Sequence, residues 1–211
     1  MFSYFFAQWF KTNGRQFPWR NEGISPFTIL VTEILLRRTR AESVQKVWSA
    51  FFNKYPDPVS LAKANPSELY TIVNSLGFMN RRISALLEAS NYIIDYYQGQ
   101  LPADLEQLLE IPHVGDYIAR ATLCFGHGHR IEIVDANILR FFARFYRLEV
   151  TSDIRRNPRV WELARQNLPE EKKHIKSHNY GLLDFTSIIC KPVSPNCLTC
   201  TLKHVCQWNN H

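Results

Sequence analysis

Nowhere in the 211-residue chain do 18 apolar residues run together, so the sequence encodes no membrane-spanning helix and we expect no membrane partner. An export signal is missing too. The N-terminus, MFSYFFAQWFKTNGR, has no basic segment ahead of its apolar residues and no small-residue cleavage site, and it reads as an aromatic amphipathic helix. There is no internal repeat and no low-complexity tract. No segment alternates apolar and polar residues as a half-buried strand would, which argues against a sheet. Cysteine is scarce, at five residues, and without an export signal it points to a reducing compartment, here the cytoplasm. Acidic residues are the minority, 19 against 25 basic. The resulting net charge of +6 and pI of about 9.1 favour a polyanionic partner, although charge alone does not name it.

What is present is helical periodicity. Apolar residues return every three or four positions, with Pro, Gly or Asn between the runs. Helices are predicted at about 2–12, 26–37, 41–54, 58–64, 66–75, 80–97, 104–109, 116–125, 135–146, 157–167 and 177–189. Ser67 lies near the fifth start, and Asp104 and Asp116 open the seventh and eighth as candidate N-caps. The class is all-α. The polar stretch from Glu149 to Arg159 reads as a connection, and the segment after Cys190 is too rich in Pro, Asn, Thr and Cys for regular structure.

That tail contains Cys190, Cys197, Cys200 and Cys206, a C-x6-C-x2-C-x5-C pattern. Four thiols on a loop that cannot build its own core fit a tetrahedral metal or an iron–sulfur site. Structural zinc is the plain alternative, and disulfides suit a reducing compartment poorly. Lys191, Lys203 and His204 stand between the ligands, either near a nucleic-acid backbone or simply solvated. Cys124, in the apolar run ATLCF, reads as a small core residue.

Farther upstream, Leu105–Glu110, then Ile111-Pro112-His113-Val114-Gly115, then Asp116–Phe125 reads as helix, tight hairpin, helix. Such a hairpin exposes backbone N–H groups at the second helix start, where a phosphate can sit. Asp135 follows an apolar run and opens a helix, so by itself it is an N-cap. Glu33 lies within the nearly continuous apolar run Ile29–Leu36, where an unpaired carboxylate is costly. It either pairs with Arg37 one turn on or faces a pocket with a raised pKa.

The cysteine spacing resembles the [4Fe-4S] loop of the endonuclease III and MutY DNA glycosylases, and the hairpin resembles that superfamily's helix-hairpin-helix. The run T-E-I-L-L-R-R-T (residues 32–39) and Gly181-Leu182-Leu183-Asp184-Phe185 are similar to the thymine-DNA mismatch branch; MutY enzymes share the Glu but usually have Gln where Arg37 and Arg38 stand. The resemblance extends from about Phe17 to Cys206.

It implies two lobes with a cleft between them: a helical barrel over 24–130, and a cluster lobe from 1–23 and 131–211 with the cofactor, a [4Fe-4S] cluster, at 190–206. It also implies double-stranded DNA with a mismatched or damaged base as partner, a monomer, and a cytoplasmic, nucleoid-associated location. In this reading Asp135, 20 residues beyond Gly115, stabilises an oxocarbenium-like sugar or activates water, and Glu33 protonates or hydrogen-bonds the flipped base. Tyr117 occupies the position of the Lys nucleophile of bifunctional members. A phenol forms no Schiff base, so no strand-cleaving activity is expected. A half-buried packing role is the simpler account of Tyr117.

Arg37 or Arg38 is the candidate wedge into the space left by the flipped base. Leu76, Gly77 and Phe78 resemble the loop probing the opposite strand, with Arg81 and Arg82 on phosphates; otherwise the apolar pair is core and the arginines a solvated helix start. Two positions depart from the family hairpin. His113 replaces the first Gly, at a cost of about 1 kcal/mol if φ is positive. Asp116 replaces a basic residue, so the grip on phosphate falls to His113 and Gly115. Few residues follow Cys206, so the C-terminal domain with which MutY enzymes read 8-oxoguanine is not expected. Hydrolysis of thymine or uracil opposite guanine leads. An adenine glycosylase or a DNA-binding member without catalysis is the alternative.

Overall fold

The computed structural model describes residues 2–148 and 157–208. Among these residues the regular structure is helical throughout, with no strand. No helix is long and apolar enough to cross a membrane. The elements are α1 (Phe5–Asn13), α2 (Pro26–Leu36), α3 (Ala41–Lys54), α4 (Pro58–Ala62), α5 (Pro66–Val73), α6 (Met79–Tyr97), α7 (Leu105–Glu110), α8 (Asp116–Ala121), α9 (Ala136–Phe145), α10 (Pro158–Gln166) and α11 (Ile175–Ile188). All eleven predicted helices are therefore present, with ends shifted by a few residues. Residues 149–156 of the expected connection lie outside the described residues.

The chain divides into two units, Gln16–His127 and Met1–Arg15 with Gly128–His211. The divisions differ from those expected at 23/24 and 130/131. Residues 16–23 go with the middle unit because Phe17 stacks on Trp19 (4.7 Å, 5°), and Trp19 meets Trp48 of α3 at 6.4 Å.

In the middle unit α2 is the central element, buried from Ile29 to Leu35. Ser25 caps it by accepting from Thr28 N (3.1 Å), and Pro26 at the first turn lacks the N–H that would otherwise need a partner. Its one mid-helix hydroxyl is satisfied: Thr32 Oγ1 donates to Thr28 O (2.6 Å) and accepts from Trp48 Nε1 (2.9 Å). The predicted helix 116–125 is α8 followed by a π-helical turn, Thr122–Gly126, that packs on α2. Gly126 permits that approach, since a Cβ there would stand 2.6 Å from Pro26 Cα.

In the other unit, α1 lies along α11, and α9 packs on both α10 and α11. Its core is unusually aromatic. Phe2, Phe6, Phe141, Phe142, Phe145 and Phe185 are all at most 3% exposed and meet mostly edge to face, an arrangement favoured by the ring quadrupoles. Asn167, itself buried, anchors the chain start by accepting from Phe2 N (3.0 Å).

Two of the expected caps change. Asp104 caps α7 by accepting from Gln107 N (3.1 Å), as read from the sequence. The residue capping α5 is Asn65, which accepts from Ser67 N. Asp116 is not a cap: Gly115 holds that position, and Asp116 in the first turn accepts from Arg120 Nε (2.9 Å), an i,i+4 pair.

Candidate nucleic-acid interface and active-site residues

In the middle unit, Arg37, Arg38, Phe78, Arg81 and His113 line one cavity of about 440 Å³, with Ile34, Arg82, Ser84 and Ala85 completing the wall. Three segments meet there: the end of α2, the turn before α6, and the hairpin between α7 and α8. Each carries a residue in left-handed backbone, Arg38 (φ 54°), Phe78 (φ 51°) and His113 (φ 67°). Such conformations cost a residue with a Cβ about 1–2 kcal/mol and persist only where surrounding contacts impose them.

At His113 those contacts are specific. The ring Nε2 is 2.8 Å from Glu88 Oε2 on α6, and the backbone carbonyl accepts from Arg37 Nη1 at 3.4 Å. Hydrogen bonds from Ser84 and then His113 hold the Glu88 carboxyl below its ordinary pKa. The hairpin thus keeps its shape without the usual glycine. Gly115, at φ −93°, is not required by backbone strain; a Cβ there would meet nothing, and its absence leaves the helix start open.

Two probe residues separate. Phe78 is 55% exposed and lies with Arg38 Cζ 5.8 Å from its ring centroid. Leu76, by contrast, is 5% exposed: its side chain belongs to the core, and only its carbonyl is used, accepting from Thr39 Oγ1 (3.0 Å). Arg82 also departs from expectation. At 5% exposed it cannot lie on a phosphate, and its guanidinium donates to backbone carbonyls instead.

Glu33 is buried on α2, 8% exposed, and α2 packs against α8, where Tyr117 stands half-buried in the first turn.

In the other unit Asp135 caps α9. Its Oδ1 accepts from Asn137 N (2.9 Å) and Ile138 N (2.7 Å), and its Oδ2 accepts from Asn137 Nδ2 (2.9 Å). The chain of bonds continues: Asn137 Oδ1 accepts from Arg140 Nη1 (2.9 Å), and Arg140 donates to Cys190 O (2.8 Å from Nη2) and Thr186 O (3.0 Å). The carboxylate is thereby held in one orientation, half-buried at a helix N-terminus where negative charge is favoured.

Cys190, Cys197, Cys200 and Cys206 all line a single small cavity of about 30 Å³, walled by Phe141, Phe145, Phe185 and Leu202. None of the five cysteines is in a disulfide. Among the described residues no three His, Cys, Asp or Glu side chains converge closely enough to hold one metal ion. Arg144 Nη1 is 3.8 Å from Cys190 Sγ and also donates to Lys191 O (2.7 Å). Burial pushes the Cys190 thiol pKa up, and Arg144 opposes it; burial likewise raises Cys200. Lys203 Nζ donates to Leu198 O (3.2 Å) and so ties the loop to itself, and Lys191 is half-buried beside Cys190. Arg140, Arg144 and Asn137 carry this architecture and stand outside the residues expected from the sequence. The available signal was two arginines spaced i,i+4 on an otherwise apolar helix.

Comparison with known proteins fits this geometry. The chain is 35% identical over 208 residues to a thymine-DNA glycosylase of Aeropyrum pernix, covering 97% of this chain and 92% of that protein. It is also 35% identical over 197 residues to a thymine/uracil-DNA glycosylase of Methanothermobacter thermautotrophicus, covering 93% and 88%. The solved structure of a thermostable thymine-DNA glycosylase superposes with a TM-score of 0.90 at 34% identity, covering 97% of this chain and 93% of the other. The family model of HhH-GPD superfamily base excision DNA repair proteins matches residues 31–166, about two thirds of the chain, and this protein belongs to that superfamily.

Proposed function

We propose that this DNA glycosylase is monofunctional and hydrolyses the N-glycosidic bond of thymine or uracil mispaired with guanine, leaving an abasic site. The observation that carries the reading is the near full-length likeness to thymine and thymine/uracil glycosylases, joined to a tyrosine at 117. Asp135 stabilises positive charge developing on the sugar, or takes a proton from the attacking water, as C1′ loses the base and gains hydroxyl. Its hydrogen bonds leave the carboxylate oriented before substrate arrives. Glu33 meets the extruded base, hydrogen-bonding or protonating it as it departs. Tyr117 contacts the nucleotide without forming a covalent bond, so the sugar–phosphate chain stays intact.

In the middle unit Arg37, Arg38, Arg81 and Phe78 form the surface that fills the vacated stack and meets phosphates, with His113 and Gly115 at the hairpin; in the other unit Lys191 and Lys203 meet phosphates beside the cysteine loop. In single-turnover assays, labelled duplexes with T·G or U·G release the base, and strands break only after alkali. Breaks without alkali would overturn the monofunctional assignment, and release of adenine from A·G would overturn the base assignment.

Cys190, Cys197, Cys200 and Cys206 would hold a [4Fe-4S] cluster. All four thiols line one cavity, and a donor set of four thiolates is the kind such a cluster takes. When bound, the cluster supplies the tail with the staple that its composition cannot, and the Arg140 and Arg144 guanidiniums offset the thiolate charge. Protein purified without air is expected to be brown, with about four irons per chain, both lost in Cys200→Ser. One zinc per colourless chain would overturn the cluster.

A further inference from the structure

The Arg82 side chain donates six hydrogen bonds. It lies in the first turn of α6, 5% exposed, away from the phosphate contact expected of it. Nη1 donates to Ile34 O (2.8 Å) and Leu35 O (2.7 Å), carbonyls of the last turn of α2, of which Ile34 O also accepts the Arg37 N–H (3.4 Å). Nη2 donates to Arg37 O (3.2 Å), Thr39 Oγ1 (2.8 Å) and Leu76 O (3.4 Å), and Nε to Gly77 O (3.4 Å). One planar cation therefore grips three segments: the end of α2, the turn carrying Arg37 and Arg38, and the turn carrying Leu76, Gly77 and Phe78. A lysine offers a point charge in place of this fork and cannot reproduce the set.

The two turns gripped are those with left-handed Arg38 and Phe78, conformations needing an external restraint. They present the exposed side chains assigned above to the vacated stack. We infer that Arg82 is a positioning residue for DNA recognition. It presets both turns before DNA arrives, so that the duplex does not supply the cost of ordering them. This rests on the proposed reading of the cavity as a DNA-contacting surface. Because the Arg82 guanidinium donates to backbone carbonyls and to Thr39 Oγ1, its contribution falls on binding and not on bond cleavage.

The test compares Arg82→Ala and Arg82→Lys with Leu86→Ala, all below the lowest melting temperature. Leu86 is fully buried on the same helix and lines no part of the cavity, so it reports the effect of lost stability alone. Binding is measured by fluorescence anisotropy on a duplex bearing a tetrahydrofuran abasic-site analogue opposite guanine. Cleavage is measured as the single-turnover rate at saturating enzyme on T·G. Arg82→Ala weakens binding by roughly 10- to 100-fold, the size expected when two loops must be ordered on binding, while the saturated rate stays within about threefold of wild type. Millimolar guanidinium restores binding to Arg82→Ala, and Arg82→Lys recovers only part of it.

Equal weakening in Leu86→Ala, a saturated rate that falls as far as binding does, or unchanged binding in Arg82→Ala would each overturn the inference. A wild type that binds the analogue but releases neither thymine nor uracil would instead refute the base assignment, and the same binding comparison would still decide for or against Arg82.

Discussion

Asp135→Asn lowers single-turnover base release by about a thousandfold, near 4 kcal/mol of transition-state stabilisation, while the protein stays folded. The two effects separate because the carboxylate has two jobs on two oxygens. Oδ1 accepts the backbone N–H groups of Asn137 and Ile138, and an asparagine keeps an oxygen for them, since Asn caps helices about as well as Asp. What asparagine removes is the negative charge. Its amide also brings a donor toward Asn137 Nδ2, and Asn137 cannot flip freely because its own Oδ1 accepts from Arg140. That conflict costs about 1 kcal/mol, as one lost hydrogen bond does, and a melting curve registers it as a small shift. Asp135→Ala loses cap and charge together and melts lower still. If Asp135→Asn releases thymine or uracil within tenfold of wild type, the residue is a cap only and the proposed chemistry is wrong.

Gly181→Ala is the substitution expected to damage the fold most for its size. A Cβ at 181 would stand 2.0 Å from Phe6 O and 2.8 Å from Phe6 C, both backbone atoms of α1, and 3.2 Å from Phe10 Cβ. No rotamer change relieves a contact with backbone, so α1 and α11 must move apart along their shared face. Phe6 and Phe185, which meet at 5.5 Å across that face, lose contact as they do so. Roughly 1–3 kcal/mol is the usual scale for overpacking, and a clash with backbone belongs at its upper end. The loss is expected as a drop of several degrees in melting temperature with the two-state denaturant slope unchanged. A variant as stable as wild type would mean that the helices are not packed as closely as described.

The same helix pair explains why the run Gly181-Leu182-Leu183-Asp184-Phe185 looks as it does. Leu182 and Phe185 enter the aromatic core, and Asp184, fully buried, accepts from the Arg15 backbone N–H (2.8 Å) and Nε (2.9 Å). A buried carboxylate persists only with such pairing. In sequence this run is only a mark of likeness, and the packing supplies its reason.

The helices themselves were legible because they depend on local information. Periodicity, Pro at first turns and Asp104 as a cap act over three or four residues, and every predicted helix was found. Asp135 was legible for the same reason, as a cap whose partners are two and three residues away. The four-cysteine spacing and the hairpin were legible as linear patterns too. The burial of Glu33 was legible as well, because Ile29–Leu36 has no continuous polar face to turn toward water.

What tertiary structure alone decided is which of several similar side chains faces solvent. Leu76 and Phe78 are two residues apart and both apolar, yet one is core and the other exposed, because Gly77 and Phe78 adopt positive φ and turn the chain between them. Arg81 and Arg82 are adjacent and chemically identical, and only the second points inward, where carbonyls of the last turn of α2 accept it from 48 and 47 residues away in sequence. Asp116 lost the cap to Gly115 by one residue and found Arg120 instead. Local propensity determines that a helix forms and where it begins. Which arginine is buried depends on acceptors brought from distant segments, and no window of sequence contains both partners.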